Sequence, residues 1–149
     1  MNDAQFNAMV DSIQEKVFQD ARDAYGAVGF ERWRNPKFNG TMKSADVSGR
    51  ITGDCGDTMQ LFLKFEQDRI VDASYVTDGC ASSRICGSFA AEMAIGKTVE
   101  QVFDLTGDDL LDHLGQFPKE EVHCAFLAIK TLQEAANQYM IKSTKEKTE

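Results

Sequence analysis

The chain has 149 residues, which is enough for one domain whose core needs no disulfide bonds. Its net charge of -8 argues against a nucleic-acid-binding surface, which needs a basic face. No apolar run approaches the roughly 18 residues of a membrane span, and the polar start of the chain does not resemble a secretory signal. We therefore expect a cytoplasmic protein that contacts neither nucleic acid nor membrane, in a compartment where cysteines rarely form disulfides.

The first predicted element is an amphipathic helix over residues 3 to about 25. Gly26, Gly29 and Asn35-Pro36 interrupt its pattern, so an irregular connection is predicted from there to about residue 40. We expect the helix to dock on the rest of the domain through one apolar stripe, which consists of Phe6, Met9, Val10, Ile13, Val17, Ala21 and Ala24.

Alternating hydrophobicity then predicts a meander of about three strands. Residues 57–65 place four apolar side chains on one face, which is typical of a half-buried strand. Residues 71–75 resume the alternation after a short turn, so the two segments form an antiparallel hairpin. A preceding strand over residues 46–51 could pair alongside.

The remaining elements are predicted helices. Ser82 or Ser83 caps the first, and Thr98 with Gln101 forms the capping box of a short second helix. Two further helices follow, the last of them starting near Lys119. This order predicts an α+β fold, in which helices pack on one face of a three-stranded antiparallel sheet and an N-terminal helix is added.

Three cysteines lie beside turns, where the predicted sheet brings them together. Cys55 precedes one strand and Cys80 follows its hairpin partner, so both fall at the same edge of the sheet. Cys80 also precedes one helix, and Cys124 lies in the first turn of another. The positive end of a helix dipole favours a thiolate, so we expect the pKa values of Cys80 and Cys124 to be lowered.

Asp57 and His123 add harder donors to the three thiols. Asp57 lies two residues from Cys55, on the same face if the strand begins that early, and His123 adjoins Cys124. Soft sulfurs with an oxygen or nitrogen donor suit zinc, or iron in an iron-sulfur cluster. Simpler interpretations stay open: Cys55 and Cys80 as buried fillers, Asp57 as a turn residue and His123 as a surface residue.

The fourth cysteine and the second histidine are assigned ordinary roles. Cys86 lies six residues beyond Cys80 and faces away from a site at the helix start, so we expect packing, with an exchange thiol as the alternative. His113 lies in a short polar helix and is predicted to be exposed.

Six short motifs are distributed over most of the chain. They are Asn35-Pro36, Cys55-Gly56-Asp57-Thr58-Met59, Ile70-Val71-Asp72-Ala73, Thr77-Asp78-Gly79-Cys80, Gly96-Lys97-Thr98, and Val122-His123-Cys124 with Leu127-Ala128. Together they closely resemble the IscU/NifU N-terminal family of iron-sulfur cluster assembly scaffolds, whose fold is SufE/NifU-like. The resemblance runs from about Asn35 to Tyr139, so we expect a scaffold domain at 35–141, preceded by an N-terminal helical extension at 1–34 and followed by a polar tail at 142–149 that is solvated and frayed.

By position, the resemblance implies that Cys55, Cys80 and Cys124 hold a transient 2Fe-2S cluster, with Asp57 influencing its lability and His123 beside it. The expected function is that of a scaffold rather than an enzyme. It receives iron and persulfide sulfur, with a cysteine desulfurase as the sulfur donor, and passes the cluster to apo iron-sulfur proteins. Zinc often occupies such a site when no cluster is present, and the alternative function is a zinc-bound sulfur acceptor that partners the desulfurase.

Three features depart from the family's pattern. Where the family commonly has Leu-Pro-Pro-Val-Lys, this chain has Phe117-Pro118-Lys119-Glu120-Glu121, which puts binding of an Hsp70-type chaperone in doubt. Arg84 and Cys86 stand where small residues are usual. The N-terminal helix is longer than in compact members, and two roles stay open for it: covering the site or mediating a homodimer.

Overall fold

The computed structural model describes residues 1–148, which form five helices, three strands and one short 3-10 turn. The 3-10 turn spans Lys119–Glu121. The strands and helices are α1 (Asp3–Arg34), β1 (Val47–Thr52), β2 (Thr58–Glu66), β3 (Arg69–Thr77), α2 (Ala81–Ala94), α3 (Val99–Phe103), α4 (Gly107–Leu114) and α5 (His123–Thr148).

The strands form one antiparallel sheet in the order β1-β2-β3. Leu61 in the central strand lies opposite Gly49 on one side and Tyr75 on the other. Met59, Leu61 and Leu63 are fully buried, whereas the residues between them are partly exposed, so only one face of the sheet is covered. α5 packs on β1 and α2 packs on β3, and the two helices also contact each other. The predicted α+β fold, with helices on one face of a three-stranded antiparallel sheet, is confirmed.

Helix α1 bends at Gly26, where φ is 73° and ψ is −179°. Only glycine adopts this left-handed region at little cost, so the chain bends there and then resumes the helix. The break predicted at Gly26 is present, but the irregular connection predicted beyond it is wrong for residues 27–34, which are helical. This second part of α1 is held on α2 because Arg32 donates hydrogen bonds to Ser88 and Glu92, both at 2.9 Å, and lies over the ring of Phe89.

The prediction that the apolar stripe of α1 docks on the domain is wrong for the part nearest the N terminus. Five stripe residues are 42–57% exposed, namely Phe6, Met9, Val10, Ile13 and Val17. An amphipathic pattern shows that one face of a helix is apolar, but it does not require that the same chain cover that face.

Two other helix boundaries differ from the predictions. Cys80, not Ser82 or Ser83, occupies the N-cap of α2, and it makes no capping hydrogen bond through its side chain. The chain at Lys119 enters the 3-10 turn, and α5 begins only at His123.

The predicted polar tail is helical as far as the structure describes it. α5 runs through Thr148, and Lys142 donates a hydrogen bond to the backbone oxygen of Asp46, so the frayed end predicted from residue 142 is wrong for 142–148. Residue 149 lies outside the described residues, and the domain boundaries at 34 and 141 stay predictions. Within residues 1–148, no helix combines the length and the apolar character that crossing a membrane requires.

Candidate metal and sulfur site

Cys55 lies in the tight turn that joins β1 to β2. The turn is closed by a hydrogen bond from the amide of Gly53 to the oxygen of Asp57, 2.8 Å. Cys55 is exposed and Asp57 is partly buried. Because β2 begins only at Thr58, the pair does not share a strand face, and Asp57 instead reaches the start of α2 through its carboxylate.

Cys80 is exposed at the N-cap of α2, beside the turn that carries Cys55. The two segments are joined because the amide of Thr58 donates a 2.7 Å hydrogen bond to the carboxylate of Asp78. Gly79 fits between them without a side chain: a Cβ there would lie 2.5 Å from Ser83 Oγ and 2.8 Å from Asp57 Oδ2. The Asp-Gly-Cys order therefore allows the start of α2 to lie close against the turn.

His123 and Cys124 open α5 on the other side of the site. The Cys124 thiol lies 3.7 Å from His123 Nε2 and 3.8 Å from Glu121 Oε2. Glu121, His123 and Cys124 are the only set of three or more histidine, cysteine or acidic residues within residues 1–148 whose potential ligand atoms lie close enough together to hold a metal ion. These atoms all lie within 4.8 Å of one another. The five predicted ligands therefore contribute His123 and Cys124 to this cluster, whereas Cys55, Asp57 and Cys80 lie outside it.

Ser83, predicted from the sequence only as a possible helix cap, links the two sides of the site. Its buried hydroxyl donates a hydrogen bond to Asp57 Oδ2 at 3.1 Å and lies 3.5 Å from the Cys124 sulfur. The spacing in the sequence indicates this position for Ser83, because a residue three positions after Cys80 on a helix lies on the same face as Cys80.

The prediction of a lowered pKa is wrong for Cys124. The pKa of Cys124 is raised to about 11, chiefly by burial; the hydrogen bond with Ser83 lowers it, and the neighbouring charges of Glu121, Cys80 and Cys55 raise it. The helix dipole is outweighed because the sulfur is fully buried and faces other negative groups.

The remaining cysteine and histidine behave as predicted. Cys86 is fully buried in the core, and burial raises its pKa well above the ordinary value. His113 is exposed, with its ring edge-on to Phe89 and its Nε2 atom 3.8 Å from Glu92.

The bend of α1 lies beside this site. Tyr25, the last residue before the bend, pairs its hydroxyl with Ser82 Oγ at 3.0 Å and packs its ring against Phe117. Burial raises the pKa of Tyr25, and the charges of Cys80, Glu121 and Cys124 raise it further. The α1 bend therefore touches the elements that carry the thiols, whereas the exposed stripe of residues 6–17 does not dock on the domain.

A cavity of about 840 Å³ opens next to Cys55 and His123. It lies between the β1–β2 turn, the loop before α4 and the first turns of α5, and its wall is mainly apolar. The residues that line it include Cys55, His123, Thr106, Lys130 and Gln133.

The sequence pattern of the NifU-like N-terminal domain matches residues 24–146. The chain belongs to this family. The match confirms the resemblance seen in the motifs, and it begins early enough to include the part of α1 that packs on α2.

Relatives of this NifU-like chain carry consistent names. It is 37% identical over 117 residues to the iron-sulfur cluster assembly scaffold protein IscU 1 of Archaeoglobus fulgidus, covering 78% of this chain and 76% of that protein. It is 31% identical over 121 residues to the scaffold protein IscU of Aquifex aeolicus, covering 79% and 77%. A nitrogen-fixing NifU-like protein (N-terminal) from Brucella abortus shares the fold, with a TM-score of 0.63, 18% identity and coverage of 81% and 97%.

Proposed function

We propose that this NifU-like chain is a scaffold on which an iron-sulfur cluster is assembled before transfer to apo-proteins. The observation that carries the proposal is the placement of three thiols, two exposed on the β1–β2 turn and at the N-cap of α2 and one buried at the start of α5, in a chain 37% identical to a protein named as such a scaffold. A carrier needs donors that incoming iron and sulfur can reach, and the exposed Cys55 and Cys80 provide them.

The proposed ligands are Cys55, Cys80 and Cys124, with Asp57 and His123 as harder donors nearby. Sulfur with one oxygen or nitrogen donor suits iron in a 2Fe-2S cluster, and the same set suits zinc. Four thiolates would hold a cluster firmly, whereas three thiolates and a weaker donor form a more exchangeable set. The mixed set therefore favours temporary holding, as delivery to another protein requires.

Sulfur delivery is proposed to start at the open side of the site. A thiolate of Cys55 or Cys80 attacks the outer sulfur of a persulfide on a cysteine desulfurase. The sulfur-sulfur bond of the donor breaks, the donor cysteine leaves as a thiolate, and the persulfide is now on the scaffold without net oxidation. Cys124 is a poor first acceptor because it is buried and its raised pKa keeps it protonated.

Anaerobic reconstitution tests the proposal. The protein is incubated with ferrous iron, L-cysteine, a cysteine desulfurase and dithiothreitol, which reduces the persulfide sulfur to sulfide, and visible absorption with Mössbauer spectroscopy should report a 2Fe-2S centre. Changing Cys55, Cys80 or Cys124 to Ser should abolish or destabilise the signal, whereas Cys86→Ala, a change at a buried cysteine of the core, should retain it. A wild-type protein that forms no cluster under these conditions would contradict the proposal.

A further inference from the structure

Glu121 belongs to the cluster of donor atoms at the start of α5, although sequence reasoning assigned it no ligand role. Its Oε2 atom accepts a long hydrogen bond from the Cys124 thiol, 3.8 Å, and the donor atoms of Glu121, His123 and Cys124 all lie within 4.8 Å. A tetrahedral ion with ligands at about 2.0–2.3 Å holds its donors about 3.3–3.8 Å apart. The three donor atoms are thus within a small side-chain adjustment of a metal-binding arrangement.

The local backbone explains why Glu121, and not its neighbour, reaches the thiol. The 3-10 turn is closed by a hydrogen bond from the Glu121 amide to the oxygen of Pro118, 3.0 Å. Glu121 is partly buried beside the fully buried Cys124, whereas Glu120 is exposed. The two adjacent glutamates are therefore placed differently, and only Glu121 belongs to the cluster of donor atoms.

The cluster offers one oxygen, one nitrogen and one sulfur donor, which is a set that divalent transition metals such as Fe²⁺, Co²⁺ and Zn²⁺ accept. Cys55 and Cys80 lie outside it, on the exposed turn and at the N-cap of α2. A metal can thus be held on the α5 side before the exposed thiols take part.

We propose that Glu121 is a metal ligand, and that with His123 and Cys124 it forms a half-site which binds one divalent metal ion without Cys55 or Cys80. The inference deepens the proposed scaffold function, because it assigns the first iron to the side of the site that packs on the core. The exposed thiols are then left free to receive sulfur.

Anaerobic titration with Co²⁺ tests the half-site, because a cobalt-thiolate bond gives its own charge-transfer absorption. The starting protein is the Cys55→Ser, Cys80→Ser double variant, which should still bind one Co²⁺ through Cys124. Adding Glu121→Gln should weaken Co²⁺ affinity by about 10-fold or more, whereas the matched change Glu120→Gln should leave it unchanged. Glu121→Asp, which keeps the carboxylate, should restore part of the affinity.

The outcomes separate this inference from the proposed function. Equal Co²⁺ affinity in the Glu121→Gln and Glu120→Gln proteins, or loss of all binding in the double variant, would overturn the half-site. Circular dichroism of each variant shows that it is folded, and should Glu121→Gln unfold, the Glu121→Asp comparison decides. Cluster formation is measured separately, in the wild-type reconstitution. Co²⁺ binding without cluster formation would support the half-site and contradict the scaffold function, and cluster formation without Co²⁺ binding in the double variant would do the opposite.

Discussion

The two sides of the thiol site are held in different ways. The anchored side consists of Cys124 with Ser83 and Glu121, and its sulfur is fully buried between α2 and α5. The open side consists of Cys55 and Cys80, which are exposed on a turn and at a helix start. The difference teaches that the fold fixes one thiol in its core and leaves the other two at the surface.

The largest expected difference between the sides is in thiol reactivity. With a pKa of about 11, only about one Cys124 in ten thousand is a thiolate at pH 7, and the side chain is also buried. Iodoacetamide should therefore modify Cys55 and Cys80 of the metal-free protein while Cys124 stays unmodified, as peptide mass spectrometry would show. Below its pKa the thiol keeps its proton, so Cys124 modification should rise about tenfold per pH unit towards pH 11 in the folded protein. Equal rates of iodoacetamide modification at Cys55 and Cys124 at neutral pH would contradict the expected difference between the open and the anchored side.

The contact between the two sides should be sensitive to a single methyl group at Gly79. In Gly79→Ala the new Cβ would meet Ser83 and Asp57 at 2.5 to 2.8 Å, which forces both side chains to move. We expect a loss of about 1–3 kcal/mol in the free energy of unfolding, measured by urea denaturation. Gly53→Ala is the control, because its Cβ would meet only the flexible side chain of Leu127 at 3.3 Å and the sulfur of Cys55 at 3.7 Å. A Gly79→Ala protein as stable as wild type would mean that the two sides are not packed together.

A smaller effect is expected when the hydroxyl that links the sides is removed. Ser83→Ala loses the hydrogen bonds to Asp57 and Cys124, so the free energy of unfolding should fall by about 1 kcal/mol. Loss of the Ser83 hydrogen bond should also raise the pKa of Cys124 further, which ultraviolet thiolate absorbance would detect. Ser74→Ala is a matched control, because the buried Ser74 hydroxyl has no hydrogen-bond partner within the described residues. Ser74→Ala should leave the free energy of unfolding unchanged or raise it. If Ser74→Ala lowered it as much as Ser83→Ala does, the loss could not be assigned to the hydrogen bonds of Ser83.

The smallest effect is expected on the open side. Cys55→Ala removes an exposed side chain, so the free energy of unfolding should change by no more than about 0.5 kcal/mol. The paired variant Cys124→Ala leaves a gap in the core and should cost about 1–3 kcal/mol. Urea denaturation of the metal-free variants measures both. If the two substitutions cost the same, the division into an anchored and an open side would not hold.

Local patterns predicted most of the fold, because strand alternation and capping boxes depend on neighbouring residues. The capping box of Thr98 and Gln101 and the buried face of β2 are present as expected. The exposed stripe of α1 was not predictable, since a pattern marks an apolar face without showing what covers it.

The site was less predictable than the fold. The approach of Cys55 to Cys80 follows from antiparallel pairing, which the sequence indicates. The raised pKa of Cys124 depends on burial between α2 and α5, and the position of Glu121 depends on the 3-10 turn. Both are consequences of tertiary packing, so spacing and dipole arguments alone missed them.

The packing of α5 on β1 also bears on the order in which the protein is made. Synthesis releases the hairpin with Cys55 and Cys80 first, and the helix that carries Cys124 comes last. Because α5 both covers the first strand and carries Cys124, the three thiols are brought together only when α5 has packed on the sheet. A nascent chain therefore displays the open thiols before it has the anchored one.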